Sequence, residues 1–282
     1  MQFIERRKWF YIFSSILIVA GIVSLFMQGL NWSIDFTGGS LLRYKMDSSI
    51  SADQVRNAVN EFNLVKEVSV QKSGDEFYLR TNELDQEQTA KMTAGLKEKF
   101  TNVTLESAES VGATIGSEIA RNALIAIGIA LVLMLLYITF RFEFAFGLAA
   151  VLSLAQVVLV VVGLFSIFQW EVSSYFVAAI LTIIGYSIND TIVIFDRVRE
   201  NLRTRKKEEL HTLLNRSIMQ TMNRSVNTVL TVLMPLVTLL LFGGSTIKVF
   251  VIALLVGFIY GMYSSICVAC PLFYDIKQRS AS

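Results

Sequence analysis

The chain predicts an all-α membrane bundle of six transmembrane helices with one inserted extracytoplasmic α+β domain. Hydrophobic residues make up 54% of 282 positions and charged ones only 17%, a balance that soluble domains rarely show. The apolar residues also collect in six blocks, 9–27, 122–140, 144–169, 172–195, 225–247 and 249–274. Each is long enough to cross about 30 Å of hydrocarbon as a helix. The inserted domain follows from a third observation: 29–118 is the one polar stretch large enough to fold outside the bilayer.

The first block follows Arg6-Arg7-Lys8, as a signal-peptide core would. The run is long, however, and no small-x-small cleavage pattern follows Met27, so the expectation is an uncleaved first helix. Lys and Arg placement then sets the orientation. With the N-terminus inside, Arg6, Arg7, Lys8, Arg141, the basic residues of 197–224, Lys277 and Arg279 all lie in the cytoplasm. The two short outer loops, 170–174 and 243–248, hold only Lys248. The 29–118 segment is exempt, because long domains translocate regardless of charge. Both termini are therefore expected in the cytoplasm. The organisation is 1–28, tail and first span; 29–118, extracytoplasmic domain; 119–196, spans two to four; 197–224, cytoplasmic loop; 225–276, spans five and six; and 277–282, cytoplasmic tail. Topology accounts for the net charge of +2, so no nucleic-acid partner is implied.

Within 29–118, Asp35-Phe36-Thr37-Gly38-Gly39 reads as a turn and 40–46 as a strand. Ser51 is a good N-cap for a helix over 51–62, whose Val55, Ala58, Val59 and Phe62 share a face. The segments 67–71 and 77–81 are strand-like, with Lys72-Ser73-Gly74-Asp75 as hairpin chemistry between them. A second helix over 85–100 and a strand over 103–107 complete the order β-α-β-β-α-β, the ferredoxin-like split βαβ arrangement. The segment 197–224 carries Leu210, Leu213, Leu214 and Ile218 at helical spacing, which predicts an amphipathic helix at the cytoplasmic surface with these residues against lipid or the bundle.

Asp190 is the one ionisable side chain in the run from 172 to 195, and it sits in the polar cluster 185–191. Burying a carboxylate in hydrocarbon costs roughly 2.5–3.5 kcal/mol on insertion scales, so such a residue is usually kept for an ion or proton path. Ser187 and Asn189 flank it, and Arg224 enters span five ahead of Asn227, Thr228 and Thr231. If the two spans pack through these faces, Arg224 approaches Asp190. Burial favours a neutral carboxyl and a nearby guanidinium favours the charged one, so a small movement of Arg224 would switch Asp190 between holding and releasing a proton. The coupling ion is a proton on this view, with Na+ as the alternative. The structural alternative makes Asp190 a packing residue and Arg224 a snorkelling one.

Other features carry less. Cys267 and Cys270 fall inside the sixth block, where a C-x-x-C pair has neither a soluble βαβ unit nor a second ligand pair beside it. The lone His211 lies in a charged loop and reads as an exposed structural residue. Gly257 and Gly261 have the spacing that lets helices approach closely, and Pro235 would kink span five. No metal-ligand spacing and no nucleophile–base pair is apparent, so no catalytic residue, metal or cofactor is expected and an enzyme is the least favoured class.

Two long motifs carry a resemblance. Trp32-Ser33-Ile34-Asp35-Phe36-Thr37-Gly38-Gly39, and the run from Gly185-Tyr186-Ser187-Ile188-Asn189-Asp190-Thr191 to Phe195-Asp196-Arg197-Val198-Arg199-Glu200-Asn201, resemble the SecF members of the SecD/SecF family of protein translocase subunits. Residues 216–225 are similar to that family's next block. The resemblance implies a bacterial inner-membrane protein related to resistance-nodulation-division transporters. It also implies a pseudosymmetric twelve-helix unit with SecD, acting on unfolded preprotein at SecYEG downstream of SecA, with YidC as a further contact. Asp190 and Arg224 match the family's proton-pathway acid and arginine; Asp35, Gly38, Gly39, Asp196 and Arg197 belong to its motifs. Two other classes stand beside this one: half of a proton-driven exporter of lipids or small molecules, and a non-conducting translocon scaffold.

Overall fold

A computed structural model describes residues 2–65, 68–205 and 208–279. The chain divides into two compact units, Trp32–Ala123 and the remainder. Along the chain the elements are α1 (Arg7–Gln28), β1 (Asn31–Trp32), α2 (Ile34–Thr37), β2 (Gly39–Lys45), α3 (Ala52–Glu61), β3 (Val68–Ser73), β4 (Glu76–Thr81), α4 (Gln86–Lys99) and β5 (Thr104–Val111). There follow α5 (Ala113–Arg141), α6 (Phe144–Ile167), β6 (Glu171–Val172), α7 (Ser174–Arg203), α8 (Leu210–Phe242), α9 (Ser245–Ser264), a π-helical turn (Ser265–Ala269) and α10 (Cys270–Arg279).

In the smaller unit four antiparallel strands lie in the order β3-β4-β2-β5. Both helices open on a capping box, Ser51 with Gln54 on α3 and Asp85 with Gln88 on α4; each satisfies two otherwise orphaned backbone donors. Tyr44, Phe77, Leu79, Val55, Val59, Met92 and Leu96 are fully buried between the helices and the sheet. Gly74, at φ +68, allows Ser73 to pair with Glu76 across a two-residue turn, so the hairpin is tighter than the four-residue connection its sequence suggests. Glu67, expected to open β3, lies outside the described residues.

The 35–39 stretch is not a plain turn. Ser33 Oγ accepts from the Asp35 N–H and caps the short helix α2, which Gly38 ends at φ 72. Gly39 then enters β2 at φ 119, where a Cβ would run into the Thr81 carbonyl. A Cβ on Gly38 would lie 2.6 Å from the Cα of Ala113. Both positions therefore exclude every side chain, one by backbone geometry and space together.

Among the described residues, six helices are long and apolar enough to cross a membrane. Helix α1 packs on α6 with Gly21 and Gly163 in backbone contact, since a Cβ on either would come within 2.7 Å of the other's Cα. Below that crossing Gln156 Nε2 donates to Ser14 Oγ (2.9 Å) and to the Tyr260 hydroxyl (2.7 Å), tying α1, α6 and α9 together. Above it Ser24 and Ser166 share a 2.8 Å hydrogen bond. Helix α9 receives α7 at Gly257 and Gly261, where Ile183 and Ser187 occupy the space a Cβ would fill.

Two expectations change. The 210–218 face is not a separate helix on the membrane surface: it forms the first turns of α8, which runs unbroken to Phe242 with Pro235 inside it. Its Leu213, Leu214 and Ile218 are fully buried, so of the two covers expected, lipid or bundle, these three residues take the bundle. Lys206 and Lys207 of that loop lie outside the described residues. His211 is also not alone, because its ring stands 3.1 Å from Glu209 and 3.7 Å from Glu5. Beside it Asn215 Oδ1 accepts from the Phe3 and Ile4 N–H groups (2.8 and 3.1 Å), which latches the N-terminal residues onto α8.

Candidate functional site

Asp190 lies mid-way along α7 and is 8% exposed. Its partner comes from α8 but is not the arginine: Ser225 Oγ donates to Asp190 Oδ1 at 2.5 Å, and Ser225 is wholly buried. Asp190 Oδ2 is buried and has no hydrogen-bond partner, and neither has Ser187 Oγ, three residues earlier on the same helix face. Two unsatisfied buried polar atoms one helical turn apart on the same helix are costly.

A second layer holds this pair in place. The π-helical turn puts Ser265 against α7, where its hydroxyl lies 2.8 Å from Thr191 Oγ1 and donates to the Ser187 carbonyl (3.3 Å). Thr191 Oγ1 also donates to that carbonyl at 3.1 Å. The wide turn precedes Pro271, whose ring would crowd the carbonyl four residues back in a regular α-helix. Cys267 and Cys270 are free and buried in this same segment, packed among bundle residues rather than facing lipid.

The expected site residues separate into two sets. Ser187 and Asp190 are buried together, whereas Asn189, Arg224, Asn227 and Thr231 are exposed. Arg224 makes no ion pair with Asp190 and reaches it only through space. The periodicity of Arg224, Asn227, Thr228 and Thr231 is real, but it marks the outward face of α8. The inward face carries the other polar series, Ser217, Thr221 and Ser225 at spacing four, all buried. That i, i+4 series of small hydroxyls was the available signal for Ser225. The Tyr186 hydroxyl also crosses between the helices, donating to the Thr228 carbonyl at 2.6 Å.

At the end of the bundle bearing the termini, Arg197 Nε donates to Gln220 Oε1 (2.6 Å) and its NH1 pairs with Glu200 (2.6 Å). Asn201 Nδ2 donates to Ser217 Oγ (2.8 Å) and Gln220 Oε1 (3.0 Å). These bonds clamp α7 to α8 one to three turns from Asp190. Asp196 lies 3.9 Å from Arg141. In the smaller unit Gly38 and Gly39 act through backbone geometry, and Asp35 lends its N–H to the cap of α2.

Known proteins share this arrangement. A family model for the protein export membrane protein SecD/SecF, C-terminal part, matches residues 91–279, and one for the SecD/SecF GG motif matches residues 23–50. Protein translocase subunit SecF of Sebaldella termitidis is 42% identical over 284 residues, which covers 99% of this chain and 92% of that protein. Protein translocase subunit SecDF of Bacillus subtilis is 41% identical over 285 residues; the match takes in 99% of this chain and 38% of the longer protein. The crystal structure of SecDF from Thermus thermophilus superposes with a TM-score of 0.93 at 36% identity, covering 99% of this chain and 39% of that one. With the glycine pair, the six helices and the full-length identity all in agreement, the chain belongs to the SecD/SecF family of protein export membrane proteins.

Proposed function

We propose that this chain is an accessory subunit of the bacterial Sec translocase that pairs with SecD and uses the proton motive force to drive late stages of preprotein export through SecYEG. The observation that carries the reading is Asp190, a buried acid bonded on one oxygen by Ser225 and left open on the other, one helical turn from Ser187, whose hydroxyl is also open. A carboxyl held this way can take a proton at Oδ2 without breaking its anchoring bond at Oδ1. One charge moving through 100 mV releases about 2.3 kcal/mol, enough to bias a two-state equilibrium substantially.

The exposed stripe of Asn189, Arg224, Asn227 and Thr231 supports the SecD pairing. Amide and guanidinium groups facing acyl chains would be costly, whereas a partner's helices can satisfy them. SecDF of Bacillus subtilis contains a SecF-like segment within one longer chain, which fits the same pairing. Arg224 would then stand between the two subunits, where an acid from SecD can share it. In the orientation that the basic residues favour, both termini and the Arg197–Gln220 clamp are cytoplasmic, with SecA and YidC as further contacts on the translocon. The outer unit, with its β-α-β-β-α-β order, is read as a ferredoxin-like module that moves with preprotein.

The test is preprotein release from inverted vesicles, with and without a proton gradient. Asp190→Asn preserves size and polarity but carries no proton, so the gradient-dependent part of release is expected to vanish while gradient-independent release stays. Equal release by both proteins under both conditions would remove the motor and leave a scaffold.

A further inference from the structure

A group of arginines lies away from Asp190, at the end of the bundle bearing the termini. Arg141, Arg199 and Arg203 converge there on a cavity of about 290 Å³ that also takes in Asp196 and Glu200. A neighbouring cavity of about 340 Å³ shares Arg199 and Arg203 and has Phe142, Glu143, Phe146 and Leu202 in its wall. The guanidinium groups of Arg141 and Arg199 both stack on the Phe142 ring, at 5.4 and 5.6 Å from its centroid. Arg199 is further steered by donating to the Arg141 carbonyl at 3.3 Å.

The local carboxylates do not neutralise this group. Glu200 is held by Arg197 at 2.6 Å and Glu143 by Lys277 at 3.1 Å. Asp196 comes only to 3.9 Å from Arg141. None of the described carboxylates lies within ion-pair distance of Arg199 or Arg203. Like charges gathered round one ring repel, and an anion in the cavity removes the repulsion.

The surroundings say which anion. Leu136, Tyr137 and Phe140 on α5 and Phe144 at the start of α6 are exposed, Phe140 by 94%. They make an apolar wall of the last turns of α5 and the first residue of α6, to either side of the cavity-lining Arg141 and Phe142 in the chain. A free phosphate has no use for such a wall, whereas a lipid lays its acyl chains along it.

We propose that this cavity binds one anionic glycerophospholipid, with its phosphate held by Arg199 and Arg203 and its chains along α5. Basic pockets between helices at this depth suit such headgroups, and volumes near the lower end for ligand pockets suit a headgroup rather than a whole molecule. The site does not depend on the transport reading.

Detergent-purified full-length protein, titrated by thermal unfolding with phosphatidylglycerol, phosphatidylcholine or sn-glycerol 3-phosphate, tests this. Phosphatidylglycerol is expected to raise Tm at concentrations where phosphatidylcholine and glycerol 3-phosphate do not. The double variant Arg199→Gln/Arg203→Gln should need roughly 30-fold more phosphatidylglycerol, about fivefold for each cation removed. Equal responses to the two lipids, or an unchanged response in the variant, overturn the proposal. A response to glycerol 3-phosphate equal to that of the lipid also overturns it, in favour of a soluble-anion site. Should the variant fail to fold, native mass spectrometry of the wild type decides: selective retention of phosphatidylglycerol supports the site, and equal loss of both lipids rejects it.

Discussion

Ser225 presents its hydroxyl to Asp190 from a face of α8 otherwise made of Ser217, Thr221 and Val229, so the acid is anchored by a neutral donor that stays in place whichever charge the acid carries. Ser225→Ala removes that donor and leaves Asp190 without a direct partner. A hydrogen bond to a charged group is worth about 1.5–3 kcal/mol, and a loss of that size is expected in detergent unfolding, with Ser225→Thr restoring most of it. Ser187 behaves differently. Its hydroxyl has no partner to lose, so Ser187→Ala should change unfolding stability by no more than about 0.5 kcal/mol. Gradient-driven release should nonetheless fall, because the open hydroxyl one helical turn from Asp190 is gone. If that variant exports at the wild-type rate, Ser187 has no part in proton transfer. Asp190 was legible from its isolation in an apolar run; Ser225 was not, because a serine beside a basic residue looks like part of the charged face until the helix is rotated by its actual neighbours.

Gly257 and Gly261 on α9 show how one helix sets the position of another. Ile183 and Ser187 of α7 sit where their Cβ atoms would be, so Gly261→Leu must push α7 away from the π-helical turn and from Ser265. Overpacking of this kind costs about 1–3 kcal/mol, and transport should be lost although Asp190 and Ser225 are intact; full activity in that variant would mean the close approach is dispensable. Gly39→Val in the smaller unit meets both a φ of 119 and the Thr81 carbonyl. Its expected cost, about 1–3 kcal/mol for the backbone alone, should appear in unfolding of the smaller unit. Periodicity placed both helices of the smaller unit to within a residue or two and located all six spans, although α5 and α8 begin well before the apolar blocks 122–140 and 225–247, since an apolar run or a capping residue is a local signal. It did not show that α8 continues from the loop segment to Phe242, because the same leucines satisfy either lipid or protein.

Across the whole bundle, the outward face of α7 and α8 carries Asn189, Arg224, Asn227 and Thr231 where lipid would ordinarily be met. Asn227→Leu combined with Thr231→Leu should weaken co-purification with SecD by roughly 3- to 30-fold, from about 0.6–2 kcal/mol of lost interhelical bonding. The chain itself should remain folded, since neither side chain has a buried role. Undiminished recovery of SecD would place the partner on another face. The N-terminal latch works over a similar span, joining Phe3 and Ile4 to Asn215 at the start of the helix that carries Ser225. Such a tie couples the start of the chain to a helix that begins far along the sequence, and no local pattern announces it.

Hydropathy, basic-residue placement and capping residues settled the class of this protein, because each reports a preference that a residue expresses within its own segment. Which hydroxyl touches Asp190, which polar stripe looks inward and which outward, and how two arginines meet over one ring depend on the rotation of each helix against its neighbours. That rotation is set by glycine contacts and side-chain volumes on other segments, and it became visible only once the helices were packed.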